Sequence, residues 1–332
     1  MKDILFSSLC AFLITFIVGL VLLPALKKVK ANQPILSYVK EHELKSGTPT
    51  MGGVFFLCGI LITCLIFFKE NSKLAVVALA ITIGYGIVGF LDDFIKIKFR
   101  NNLGLKAYQK IIFQLTLAAI AAYFAYLNHS EIIIPFFNNK INIGYWVIPL
   151  TAFVFLAMTN SVNLTDGLDG LASGTTLIYT IFFSVFLIYS ANNYSISGLT
   201  QNFFEYKNMA VLSVSCCGAL LAYMCFNAYP AKVFMGDTGS LALGGLLASL
   251  SVFSEYVLFV PFMGIMFIVS SVSVIMQVAY FKITKGRRIF LMAPYHHHLQ
   301  HKGVSEGKIT MIYMAVTAVV CMFIVILTLY SG

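Results

Sequence analysis

An all-α polytopic membrane protein, with ten transmembrane helices and both termini extracytoplasmic, is the fold class this sequence predicts. Three observations predict it. Hydrophobic residues make up 59% of the 332 positions and charged residues only 11%, whereas soluble domains carry roughly 25% charge. The apolar residues come in long blocks, and about 20 in a row suffice to cross a hydrocarbon core. The blocks are continuous rather than alternating, which rejects a barrel. Helices remain, because each lipid-spanning segment must satisfy its own backbone N–H and C=O groups.

The first block, 4–26, is longer than the signal-peptide h-region of about 7–15 residues and has no small-x-small cleavage site after it, so it reads as a retained helix. Further blocks predict helices at 48–68, opened by Pro49 and Gly52-Gly53; at 74–91, closed by Asp92-Asp93; at 109–128; at 145–162; and at 171–190, after a Gly-rich turn. Four more follow at 208–227, at 239–254, at 257–281 and at 310–330. Only Ser254-Glu255 separates the eighth from the ninth, where Pro261 can kink the chain. Between the fourth and fifth, Ile132–Ile134 and Asn138-Asn139 spell a small outer β-hairpin within 129–144. No repeat, low-complexity tract or linker divides the chain, so 1–332 is expected to form one integral-membrane domain. The seven cysteines all lie in apolar blocks without metal-ligand spacing and read as packing residues.

An even number of spans puts both termini on one side. The loops facing away from them, at 27–45, 96–110, 232 and 282–308, then hold 17 of the 22 Lys and Arg. Positive loops stay in the cytoplasm, so the termini point outward. Topology and attraction to anionic lipid account for the net charge of +9, and no nucleic-acid partner is expected. Five of the six aspartates, Asp92, Asp93, Asp166, Asp169 and Asp237, fall at inner helix ends, and only Asp3 lies outside. An apolar chain that keeps its carboxylates on one face has a site there.

Asp92-Asp93 places two carboxylates side by side at a membrane boundary, at a cost in desolvation and repulsion that a divalent cation, a proton or nearby lysines must offset. In Asn163-Leu164-Thr165-Asp166-Gly167-Leu168-Asp169-Gly170, Gly167 and Gly170 allow a tight turn that gathers Asn163, Thr165, Asp166 and Asp169, ligands for Mg²⁺ or for a nucleotide. Phe234-Met235-Gly236-Asp237-Thr238-Gly239-Ser240 reads either as a helix cap or as an anion-binding helix start. Pro294-Tyr295-His296-His297-His298 follows Arg287-Arg288; it reads either as a metal tract or as donors to phosphate. No HExxH or Cys-His spacing supports zinc. Lys45 precedes Gly47-Thr48-Pro49-Thr50-Met51-Gly52-Gly53, which opens the second helix with glycines suited to close packing.

In this order, these motifs resemble the polyprenyl-phosphate N-acetylhexosamine-1-phosphate transferase superfamily, and within it the muramoyl-pentapeptide branch. The resemblance runs from Lys45 to His301, and the ten-helix count extends it to both ends. It implies transfer of phospho-N-acetylmuramoyl-pentapeptide from its UDP-linked form to undecaprenyl phosphate, with release of UMP. The product would be the first lipid-linked intermediate of peptidoglycan synthesis. It also implies Mg²⁺ as cofactor, surrounding membrane lipid, a homodimer, and an active site on the cytoplasmic face of the bacterial inner membrane.

Carried over by resemblance, Asp92 is the candidate base or lipid-phosphate activator, Asp93 its partner near the metal, and Asp237 the Mg²⁺ ligand. Asn163, Asp166 and Asp169 would line the nucleotide side, with Asn227, Phe234 and Gly236 near uracil and Lys96 near the nucleotide. Lys45, Thr50, His296, His297 and His298 would contact phosphate or sugar, with His296 among the catalytic set. The family's broken ninth helix, which leaves a groove for the prenyl chain, suits Pro261 and the region of Gly264. The chain departs from the family after His298, where an acidic residue is usual and Leu299-Gln300-His301-Lys302 stands instead. The sister branch, which transfers GlcNAc-1-phosphate to the same lipid, is the alternative reading. A transporter is disfavoured, because transporters hold their charges near the midplane.

Overall fold

The computed structural model describes residues 2–28, 47–99, 104–128, 130–137 and 139–330. Its helices are α1 (Lys2–Lys28), α2 (Gly53–Phe67), α3 (Lys73–Phe99), α4 (Ala107–Asn128), α5 (Val147–Thr165), α6 (Leu171–Ile196) and α7 (Thr200–Asn227). They continue with α8 (Gly236–Phe253), the four-residue α9 (Val260–Met263), α10 (Ile265–Ile283), α11 (Tyr295–His301) and α12 (Glu306–Tyr330). Among the described residues the only sheet is an antiparallel hairpin of β1 (Glu131–Ile133) and β2 (Lys140–Asn142), with Ile132 opposite Ile141. The chain is an all-α multi-pass membrane protein. Eight described helices are long and apolar enough to cross a bilayer; α2, at 15 residues, is apolar but shorter.

Two expectations change. The third helix does not end at Asp92-Asp93 but runs on to Phe99, with Lys96 bonded to Asp92 across one turn at 2.5 Å. An oppositely charged partner at i+4 favours continuing the helix. Asn163 and Thr165 sit in the last turn of α5 rather than in a loop, and the Thr165 hydroxyl bonds back to Ser161 O at 2.8 Å. The break expected in the ninth helix is present: α9 stops at Gly264, whose conformation is non-helical, and α10 begins beyond it. The short α11 has no counterpart in the predicted set.

The core is built around α8, in which every residue from Thr238 to Phe253 is buried. Lipid tails are as apolar as leucine side chains, so helices in a bilayer associate through close packing rather than hydrophobic exclusion. Small residues on α8 and its neighbours permit that approach. A side chain at Gly53 would overlap the Gly239 backbone, one at Gly89 the carbonyl of Asp237, and one at Gly244 the Cα of Thr159. These contacts press α2, α3 and α5 directly onto α8. By contrast, α1 turns Leu5, Phe6, Leu9, Leu13 and Ile17 outward.

At the end of the bundle where α1 begins, Asp3 pairs with Lys69 at 2.8 Å and with Lys207 at 3.1 Å. Glu205 of α7 accepts the Leu74 N–H at 2.9 Å, satisfying a donor in the first turn of α3. The β-hairpin docks by Ile133 N–H donating to Glu255 O at 2.9 Å and by the Lys140–Glu255 ion pair.

Candidate active site

Close approach of α3 to α8 brings Asp92 and Asp93 against Asp237, which lies 144 residues beyond Asp93 in the chain. Each of the three offers a carboxylate oxygen within 4.8 Å of the others. Asp93 is fully buried and receives Asp237 N–H at 3.2 Å on one oxygen, and Thr238 N–H at 2.9 Å and Thr238 Oγ1–H at 2.7 Å on the other. It thus caps α8 from another helix, supplying the acceptor that orphan N–H groups and the positive end of the helix dipole require. The Gly-Asp-Thr-Gly-Ser motif is therefore a capped helix start whose cap is supplied in trans, by α3.

Cations converge on the same carboxylates. Lys96 Nζ lies 3.0 Å from Asp237 Oδ2 and 2.5 Å from Asp92 Oδ2, and Lys110 Nζ reaches Asp237 Oδ2 at 2.9 Å. Asn163 Nδ2 donates to Asp237 Oδ1 at 2.6 Å and to Ser240 Oγ at 2.8 Å. The Leu105 N–H donates to Asp92 Oδ1 at 2.8 Å, so the chain ahead of α4 is tied to the site as well. Helices α3, α4, α5 and α8 thus meet at one acidic centre.

The glycine-rich segment before α2 lies alongside. Phe234 N–H donates to Pro49 O at 2.8 Å, Gly52 N–H to Phe234 O at 2.8 Å and Gly53 N–H to Met235 O at 3.0 Å. Thr50 is buried, its hydroxyl has no partner, and it faces Gly236, where a side chain would overlap both Asp93 and Thr50. Gly236 has φ +69, which glycine adopts freely. Lys45 lies outside the described residues.

The turn between α5 and α6 uses its two glycines differently. Gly170 takes φ +72. Gly167 instead leaves room for His296, whose Nε2 would overlap any side chain there. Desolvation, and then the charges of Asp237, Asp93 and Asp169, push the Asp166 carboxyl well above the usual carboxylate range. Asp169 accepts the Ala231 N–H at 2.9 Å, and Asn227 links Ser173 Oγ at 2.8 Å to Val233 O at 3.0 Å. These two residues hold the 228–235 segment, and with it Phe234 and Gly236, over the turn.

The histidines divide. His296 is fully buried with neither ring nitrogen hydrogen-bonded, and burial, then the adjacent His297, holds its imidazole well below its ordinary range. A buried polar ring without partners is costly unless something completes it. His297 Nδ1 lies 2.7 Å from Gln300 Oε1, and His298 Nδ1 accepts the Leu291 N–H at 3.1 Å. Beside α11, a cavity of about 670 Å³ is lined by Gln277, Phe281, Lys282, Arg288, Met292 and His301.

Sequence reading counted Lys110 only among the inner positive charges. One signal would have found it, since it is a lysine in the first turn of an otherwise apolar helix and such a charge needs a partner. The cap formed by Asp93 carried no such signal.

The donor set fits a hard divalent cation. It is oxygen-only, as such ions prefer, and its three carboxylates outnumber the two ammonium groups gathered on Asp237.

The Glycosyl transferase family 4 profile matches residues 74–255, and the phospho-N-acetylmuramoyl-pentapeptide-transferase signature 1 matches residues 45–57. The chain is similar to the phospho-N-acetylmuramoyl-pentapeptide-transferase of Clostridioides difficile (strain 630), at 44% identity over 96% of this chain and 95% of that protein. It is also similar to those of Clostridium botulinum (strain Eklund 17B / Type B), at 42% over 96% and 94%, and Clostridium novyi (strain NT), at 42% over 97% and 96%. Identity of that extent along nearly the whole length, with the signature falling on the segment that packs against Asp237's helix, places this chain in the phospho-N-acetylmuramoyl-pentapeptide-transferase family of phospho-sugar transferases.

Proposed function

We propose that the chain transfers phospho-N-acetylmuramoyl-pentapeptide from its UDP-linked form to undecaprenyl phosphate, releasing UMP and forming the first lipid-linked intermediate of peptidoglycan synthesis. One observation carries the reading: three carboxylates, two lysines and an asparagine from four helices converge at Asp237. In the net reaction an oxygen of the lipid phosphate bonds to the sugar-bearing phosphorus, the pyrophosphate bridge breaks, and UMP leaves with the bonding pair.

A single membrane domain spanning 1–332, with ten spans, outward termini and its acidic centre at the cytoplasmic face of the bacterial inner membrane, meets the needs of that reaction. The soluble nucleotide and the lipid phosphate can meet only at that surface, and the bias of positive loops supports the orientation. Lys96 and Lys110 oppose the charge of the pyrophosphate, and such preorganised charges count for more in a dehydrated site than in water. Asp92, next to Lys96, activates the lipid phosphate. Asn163, Asp166 and Asp169 line the nucleotide side, and Asn227, Phe234 and Gly236 form the uracil end. Lys45, Thr50, His296, His297 and His298 contact phosphate or sugar; Thr50 and His296 carry the buried unpartnered atoms that a ligand would complete. Asp237, with Asp93 beside it, would hold Mg²⁺, which when bound neutralises charge on the pyrophosphate oxygens. The broken α9–α10 region suits the prenyl chain, and the assembly is a homodimer.

Detergent-purified protein given undecaprenyl phosphate should release UMP from the UDP-muramoyl-pentapeptide donor and not from UDP-GlcNAc. Turnover of UDP-GlcNAc alone would assign the chain to the sister activity. EDTA should reduce turnover to background and added Mg²⁺ restore it; turnover that persists in EDTA would remove the metal from this reading.

A further inference from the structure

Behind His297 stand two residues that the reading above does not use. Glu306, in the first turn of α12, is buried, and its Oε1 accepts from Gln300 Nε2 at 3.3 Å. Gln300 is buried as well, and its Oε1 lies 2.7 Å from His297 Nδ1.

The chemistry of the three groups gives this chain one direction. A carboxylate accepts, so the amide must turn its NH₂ toward Glu306 and its carbonyl toward the imidazole. A carbonyl has no proton to offer, so the proton in the 2.7 Å bond belongs to Nδ1. Which ring nitrogen of a histidine carries the proton is set by the hydrogen bond the ring makes. We infer that Gln300 and Glu306 are positioning residues, which fix the His297 proton on Nδ1 and confine its protonation change to Nε2. That this matters for turnover rests on the reading that His297 contacts the donor. The bland alternative for Glu306 is a first-turn acid favoured by the helix dipole.

A charge-conserving swap separates the two. Glu306→Gln lets the Gln300 amide turn either way and should lower kcat about tenfold, the worth of one buried hydrogen bond, with KM for the UDP-linked donor little changed. The double variant Gln300→Glu with Glu306→Gln should recover to within about threefold of the parent, because a carboxylate at 300 accepts from Nδ1 unaided. A structural acid at the start of α12 would not be rescued from position 300. Where His297→Gln itself lowers kcat, an unaltered kcat in Glu306→Gln, or no recovery in the swap, overturns the inference.

Ring ¹⁵N spectra of the parent protein labelled in histidine, assigned by the signal lost in His297→Gln, test it without any assay. They should show His297 protonated at Nδ1, and a bare Nδ1 overturns it even if the variants misfold. A protonated Nδ1 together with full turnover by His297→Gln supports the tautomer and removes His297 from the transfer reaction, so the two failures are distinguishable.

Discussion

Asp237→Asn is expected to lower turnover by about a thousandfold or more, the upper range for removing one preorganised electrostatic group, while leaving membrane insertion and helix content intact. The amide is nearly the same size as the carboxylate but cannot serve the same neighbours. Oδ2 of Asp237 receives two ammonium groups, at 3.0 and 2.9 Å, and Oδ1 receives the Asn163 amide at 2.6 Å. An amide offers one acceptor oxygen and one NH₂, so in either orientation a donor faces a donor, and the negative charge that Lys96 and Lys110 share is gone. Asp92→Asn should also abolish turnover, because Asp92 holds Lys96 from its other side. The measurement is UMP release by purified variants matched for thermal stability. Near-parental turnover in either would mean that the carboxylate cluster is not where transfer occurs.

The second large effect concerns packing. Gly89→Val should prevent the α3–α8 contact from forming, because a side chain at Gly89 overlaps the carbonyl of Asp237 and the N–H of Thr238, backbone atoms that no rotamer change can move. Overpacking of a tight interface costs roughly 1–3 kcal/mol, occasionally more, and here the strain falls on the cap that orients Asp237. Gly89→Ala, the milder form, should retain the fold and lose about a hundredfold in activity, the scale of a misplacement near 1 Å. Two controls bracket it. A Cβ at Gly86 comes within 3 Å only of the flexible end of Leu57, at 2.9 Å, with Ala242 and the Thr238 carbonyl at ordinary contact distances of 3.5 and 3.8 Å, and one at Gly307 meets nothing within 4 Å, so Gly86→Ala and Gly307→Ala should both stay close to parental. Equal activity and thermal stability across all three alanine variants would show that the α3–α8 contact does not position the site.

Much of this could be read from the chain because it is local. The spans are visible in uninterrupted apolar blocks, and the hairpin in a short β-rich run with its turn. Asp92, Asp166 and Asp237 stand out because a carboxylate among apolar residues needs a reason wherever it lies. The break after Pro261 was foreshadowed, although Gly264 marks where α10 starts anew. Less local facts were hidden. The extension of α3 to Phe99 depends on Lys96 finding Asp92 and Asp237 together, and Asp237 is 141 residues away from Lys96. Lys110 looked like one more positive charge at the inner boundary until α4 was seen to lean on α8's first turn.

The sequence by itself determined that this is a helical membrane protein, because each span's fit to hydrocarbon belongs to a contiguous stretch. Tertiary structure alone decided which carboxylate does what. Asp92 and Asp93 are neighbours in the chain, yet Asp93 is engaged by the start of α8, while Asp92 faces Lys96 and the Leu105 N–H. That division arises because adjacent residues on a helix point about 100° apart, and only the packing of α3 against α8, made possible at Gly89, settles which of the two directions meets a helix end.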